Sequence, residues 1–353
     1  MVQQILQWFD LHGRDLPWRH TTDPYAIWLS EIILQQTRVQ QGMAYWQRFM
    51  DTLPTVEALA EAEEDVVMRL WQGLGYYSRA RNLHTAAKQI VALGHFPCTH
   101  KELLQLKGVG PYTAAAIGSF AFHLPLAAVD GNVYRVLARY HGIDTPINST
   151  QGVHLFDALA QDILPKEEAG RFNQAMMDFG ATVCTPQSPQ CNGCILADSC
   201  VALRTRRVEQ LPVKLRTVKV KKRTMKYLVI LCDNKIALHR RGAGDIWQAL
   251  WEPLNLQDEP ASAALSRIKQ HQKEWTTLCK GMKHVLTHRI LTADFMLWQP
   301  IEKPTLPPDY QWIDLQQLHL YALPRMIEKA LEQRGNSTWA SEQTETASTS
   351  RER

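Results

Sequence analysis

No stretch of this chain is apolar for long enough to span a membrane. Its first residues run straight into Ile5, Leu6, Trp8 and Phe9 with charged residues close behind, so a secretory leader is not expected either. The compartment expected is the cytosol. The chain also lacks an excess of one charge: 39 Lys and Arg against 35 Asp and Glu leave a formal net charge of +4, which permits a nucleic-acid partner without demanding one. No segment repeats another, which excludes a solenoid or propeller. Cysteine is sparse except in one place. Of seven, Cys98, Cys232 and Cys279 stand singly, while four fall between Cys184 and Cys200. In a reducing compartment such crowding suggests metal rather than disulfides.

With 353 residues, 45% of them hydrophobic, the chain has material for two cores. Up to about Leu203 apolar residues return every three or four positions, with breaks at Leu53-Pro54, Phe96-Pro97, Gly108-Val109-Gly110-Pro111 and Leu164-Pro165. This half is expected to be all-α. Over 204–224 the period fails and basic residues crowd in, among them Arg204, Arg206, Arg207, Lys214, Arg216, Lys219 and Lys221–Arg223. That segment is expected to be a flexible connector, with phosphate contact as an added role. Beyond it, Lys226–Cys232 and Lys235–Arg240 read as a hairpin turned at Asp233-Asn234. Further strands are expected at Thr292–Trp298 and Tyr310–Ile313, then a helix over Pro324–Arg334, giving an α+β second domain over 225–334. The last stretch, 335–353, is rich in Ser, Thr and Glu and is expected to be disordered.

Four places carry chemistry. Cys184, Cys191, Cys194 and Cys200 form C-x6-C-x2-C-x5-C, a compact loop whose four thiolates serve zinc and an iron–sulfur cluster alike on ligand type. Gly108 and Gly110 flank a tight turn before a helix expected from about Thr113, and exposed N–H groups there make an anion site suited to a DNA phosphate. Asp130, in Val129-Asp130-Gly131-Asn132, is expected to cap a helix running to about His141. The cap N–H groups and the helix end favour its ionised form. Glu31 has Ile27, Trp28 and Leu34 as helical neighbours. Desolvation there would raise its pKa and leave it a proton to donate, unless the side chain swings to solvent.

The cysteine spacing, the Gly-x-Gly hairpin and the aspartate about twenty residues beyond it resemble the endonuclease III and MutY branch of the helix-hairpin-helix DNA glycosylases. The resemblance implies a [4Fe–4S] cluster on the four cysteines, with a structural role. After Gly110-Pro111 the endonuclease III branch carries a lysine that attacks the sugar as an amine; here Tyr112 stands, and a phenol cannot form a Schiff base. The chain therefore looks MutY-like and monofunctional. What that implies is hydrolysis of the N-glycosidic bond of adenine. Glu31 protonates adenine at N7 and later helps activate water, while Asp130, Tyr112 and Asn132 support the cation at the sugar.

Other segments agree in order along about 200 residues. The stretch with Arg14, Trp18 and Arg19 resembles the lining of the family's adenine pocket, and Gln174 matches a position that contacts adenine. Gln36 and Thr37 match residues inserted at the mispair. Gly73–Leu83 looks like the family's wedge, in which Tyr76 stacks on 8-oxoguanine beside Leu74. Residues 244–253 resemble a Nudix-like segment, yet no Arg-Glu-x-x-Glu-Glu helix follows, which argues against pyrophosphatase activity. The family's lesion-reading Phe-Ser-His loop corresponds to Leu286-Thr287-His288, where Thr keeps the hydroxyl and Leu loses the aromatic. His284 and His288 could equally be paired strand histidines on a solvated face. The resemblance thus implies a helix-hairpin-helix glycosylase domain over 1–203 and a Nudix-like domain over 225–334. The partner expected is duplex DNA with adenine opposite 8-oxoguanine or guanine, bound by a monomer.

Overall fold

The structure, a computed structural model of the chain, describes residues 1–215 and 220–333. The expected disordered tail, 335–353, lies outside the described residues. Helices come first: α1 (Val2–His12), α2 (Pro24–Leu34), α3 (Val39–Thr52), α4 (Val56–Glu61), α5 (Glu64–Trp71), α6 (Ser78–Leu93), α7 (His100–Leu103), α8 (Pro111–Ala121), α9 (Gly131–His141), α10 (Thr150–Asp162), α11 (Ala169–Thr182) and α12 (Val201–Arg204). Strands follow, with two more helices between and after them: β1 (Lys221–Cys232), β2 (Lys235–Arg240), β3 (Trp251–Glu252), β4 (Leu254–Asn255), α13 (Ala263–Gln270), β5 (Thr276–Val285), β6 (Arg289–Trp298), β7 (Tyr310–Asp314) and α14 (Arg325–Glu332). Among the described residues no helix is long and apolar enough to cross a membrane.

The chain divides into two compact units, Met1–Ala62 with Arg81–Thr217, and Glu63–Ala80 with Val218–Arg353. In the first, α1, α9, α10 and α11 enclose a core built on Leu137, Phe156, Phe172 and Phe179. α2 lies deeper. Asp23 caps it by accepting from the N–H groups of Tyr25 and Ala26, Pro24 opens its first turn, and every residue from Tyr25 to Ile33 is buried. A helix apolar on all sides must be enclosed, and this one carries Glu31 inside with it. α8 begins at Pro111, two residues before the start expected, because proline needs no N–H partner at the first helical position. α9 runs as expected from the Asp130 cap to His141, closed by Gly142 in the left-handed region.

In the second unit the sheet runs β3-β2-β1-β6-β5, with β4 paired to β1 and β7 to β2. β1 and β6 are parallel. The β1–β2 hairpin turns at Asp233 and Asn234, both at positive φ as a two-residue turn requires. The sequence reading did not find β5 or α13. β5 exposes most of its residues on one side and breaks register twice against β6, so its alternation is blurred.

One expectation needs correction. The basic stretch 204–224 is not a free connector over its whole length. Ile147 N–H donates to Val213 O, Asn148 pairs both ways with Leu215, and Arg139 Nε donates to Leu211 O, so 204–215 is bound to the first unit; β1 already begins at Lys221. These backbone groups find fixed partners where basic composition had suggested solvent. Glu63–Ala80, expected inside the helical domain 1–203, makes contacts with the sheet as well. Arg240 pairs with Glu64 and Asp65, and the Tyr76 hydroxyl bonds that of Thr287.

Candidate active site

Glu31 is buried in α2, 7% exposed, with Ile27 and Trp28 as buried neighbours one turn before it. Burial pushes its carboxyl up to about 7. The Tyr112 hydroxyl, from the first turn of α8, donates to Glu31 Oε2 at 2.7 Å and works against that rise, as does the charge of Arg19. The negative charge of Asp130 reinforces it. A carboxyl so placed still holds a proton close to neutral pH.

Asp130 caps α9. Its Oδ1 accepts from the N–H groups of Asn132 and Val133, both at 2.8 Å, and its Oδ2 accepts from Asn132 Nδ2 at 2.7 Å. The sequence reading expected these donors to favour the ionised carboxylate. They are present, with Arg135 assisting, but burial outweighs them and the pKa is raised from the ordinary value. Arg135, buried on α9, fixes Asn132 through its Oδ1 at 2.8 Å and reaches the carbonyls of Gly180 and Cys184. Gly180 is required there: a Cβ on it would stand 2.7 Å from that of Asn132. Glu31, Tyr112, Asp130 and Asn132, from three separate segments, therefore form one cluster.

The residues expected around an adenine divide. Trp18 is buried edge-on to Trp46. Gln174 is partly buried on α11. Arg14 and Arg19 both close on Asp178, which is fully buried. Arg14 donates from N and Nε, at 2.8 and 2.9 Å, and Arg19 from Nη1 and Nη2, both at 2.8 Å. Sequence reasoning gave Asp178 and Arg135 no role. The signal for Asp178 was two arginines five residues apart that need a buried counter-charge; for Arg135, a charged residue on the inward face of an amphipathic helix.

At the helical hairpin Gly108 has φ +80°, where any other residue is strained, and a Cβ there would meet that of Asn82 at 2.7 Å. Gly110 faces open space. The N–H groups that begin α8 have the arrangement of an anion site. Gln36 is exposed at positive φ just past α2, and Thr37 N–H closes that turn on Leu34 O at 3.1 Å.

The four clustered cysteines line one small cavity with Arg139, Pro189 and Leu203. Arg139 Nη1 stands 3.4 Å from Cys184 Sγ and also donates to Thr185 O at 2.7 Å, so a cation ties the cage to α9. Among the described residues no three His, Cys, Asp or Glu side chains converge closely enough for a single ion. Four thiols gathered around one cavity are a donor set that serves an iron–sulfur cluster and zinc alike.

In the second unit, Leu286 and Arg289 close the β5–β6 turn, leaving Thr287 and His288 at its exposed tip. His284 and His288 are not a pair on one solvated strand face: His284 is partly covered and packs edge-on to Trp247, and His288 belongs to the turn. Tyr76 is 48% exposed, Leu74 is buried, and Tyr76 is the partner of Thr287.

The pattern describing the HhH-GPD superfamily of base excision DNA repair proteins matches residues 29–154, and that of the NUDIX domain matches 226–333. The chain is similar to the adenine DNA glycosylase of Buchnera aphidicola subsp. Acyrthosiphon pisum, 31% identical over 94% of this chain and 96% of the relative. It is 46% identical to the adenine DNA glycosylase of Rattus norvegicus over 57% of this chain and 41% of that one. Among solved structures, a thermostable thymine-DNA glycosylase is similar at a TM-score of 0.54 and 31% identity, covering 58% of this chain and 95% of that one. An endonuclease III–DNA complex shares the fold at 0.51 and 24% identity, covering 58% of this chain and 94% of that one.

Proposed function

The chain belongs to the adenine DNA glycosylases of the HhH-GPD base excision repair superfamily, and from that we propose that its substrate is duplex DNA in which adenine faces 8-oxoguanine or, less favourably, guanine. As a glycosylase it hydrolyses an N-glycosyl bond. The observation that carries the residue roles is the buried Glu31 carboxyl, bonded to Tyr112 and raised by the charge of Asp130.

In the proposed reaction the adenine is flipped out of the stack into this cluster. Protonated Glu31 gives its proton to adenine N7, and the C1′–N9 electron pair leaves with the base. Asp130, held by its N–H donors and Asn132, faces the cation that develops at the sugar. Water adds at C1′ and its proton passes to the Glu31 carboxylate, which restores the acid. Tyr112 offers no amine, so the reaction ends at the abasic site without strand cleavage. Gly108 and Gly110 hold a phosphate, and Gln36 and Thr37 enter the duplex. The wedge of Leu74 and Tyr76, with Thr287 and His288, reads the base opposite.

The four cysteines would hold a [4Fe–4S] cluster, whose contribution is to cross-link the loop 184–200. The thiolate set suits a reducing cytosol, and the enzyme acts as a monomer. A single-turnover excision assay across mispairs tests the reading. Wild-type protein is expected to release adenine fastest opposite 8-oxoguanine and to yield no borohydride-trapped adduct. Glu31→Gln is expected to bind the same duplex and release nothing; excision by that variant would refute the acid.

A further inference from the structure

Asp178 is a fully buried carboxylate that the reaction itself does not use. It sits on α11 and gathers two guanidiniums from a segment more than 150 positions earlier. Arg19 also donates to Arg14 O at 2.8 Å and lies over the Phe9 ring at 5.3 Å, so three groups hold its head. From that position its charge reaches Glu31. The groups that face Glu31 are Tyr112 from α8, Asp130 from the start of α9 and Arg19 from the short turn Pro17–Arg19. Of these, only Arg19 is positive, and its counter-charge is Asp178.

We propose that Asp178 is a positioning residue that holds Arg19 beside Glu31 and offsets part of its charge, thereby setting the pH range over which adenine is released. Arg14, Arg19 and Asp178 together carry one net positive charge. Without the carboxylate they would carry two, and Arg19 would lose its anchor. The extra positive charge favours ionised Glu31, which has no proton to give, so the alkaline limb of the excision profile must move to lower pH. A purely structural Asp178 would lower the rate at every pH and leave the limb where it was.

The inference rests on Glu31 as the acid. Its test is the single-turnover profile on a duplex with adenine opposite 8-oxoguanine, from about pH 5 to about pH 9. Asp178→Asn is expected to shift the alkaline limb down by roughly one pH unit, the scale on which one nearby charge acts. Asp178→Glu, which keeps the charge, is expected to hold the wild-type limb whatever the height of its plateau. Asp178→Asn with Arg19→Gln returns the triad to one net charge and is expected to bring the limb back. A limb in Asp178→Asn that coincides with wild type overturns the proposal. If Asp178→Asn releases no adenine at any pH, Arg19→Gln alone decides: a limb moved upward supports the proposal and an unmoved one overturns it. Excision by Glu31→Gln would sink the acid itself, whereas a silent Glu31→Gln with unmoved limbs sinks only the role of Asp178.

Discussion

A glutamate inside an apolar helix is a thermodynamic burden with a measurable sign. Glu31 titrates near 4.5 in the unfolded chain and at about 7 in the folded one, so between those values the folded state keeps a proton that the unfolded state has released. Its contribution to stability is complete below about pH 4.5 and is lost as pH rises through 7. Glu31→Gln is therefore expected to melt like wild type near pH 4.5 and to be more stable above neutrality, by up to about 3 kcal/mol. Thermal melts across that range check it, and a variant no more stable at pH 8 than wild type would contradict it. The Tyr112 hydroxyl lowers the same carboxyl. Tyr112→Phe is expected to move the alkaline limb of excision to higher pH, opposite to Asp178→Asn, in the same single-turnover series. At this scale the sequence was informative because Ile27, Trp28 and Leu34 fall within one turn of Glu31. For Asp130 local spacing revealed the N–H donors that favour its ionised form but not the desolvation that works against them.

Elements matter here for how closely they approach. α9 and α11 meet where Gly180 lies against Asn132, with 2.7 Å from an added Cβ to that of Asn132 and 3.0 Å to its carbonyl oxygen. Gly180→Ala is expected to separate the helices at about 1–3 kcal/mol of stability and to lower excision at least tenfold. A melting curve and single-turnover rate matching wild type would rule out that approach. Gly110→Ala is the contrasting case. Its Cβ would enter open space from an ordinary backbone conformation, so melting should not change. If a phosphate sits on the start of α8, duplex affinity should fall severalfold in a binding titration. Start signals were legible in the sequence because caps are local: Pro111 and Asp130 each stand at the start of a helix expected there. β5 was not, because a strand with register shifts and much exposure carries no clean period.

For the whole molecule, the cysteine cage makes a compositional prediction. Purified protein is expected to hold about four iron atoms per chain, with visible absorbance that disappears when iron is removed. One zinc per chain instead would overturn the cluster. The second unit makes another: Thr287→Ala with His288→Ala is expected to cut the preference for 8-oxoguanine over guanine opposite adenine, leaving the rate on the guanine mispair within a few fold. Equal losses on both substrates would deny these residues a reading role. By itself the sequence determined the α-then-α+β order, the Asp130 cap, the four-thiol loop and the apolar setting of Glu31, because those depend on spacing within a turn or a loop. Tertiary structure alone decided that Asp178 pairs with Arg14 and Arg19, that Arg135 reaches the carbonyls of Gly180 and Cys184, that 204–215 is bound down, and that Glu63–Ala80 meets the sheet. Each of these is a pairing across scores of residues, and only a folded core brings such groups within hydrogen-bond reach and removes the water that would otherwise screen them.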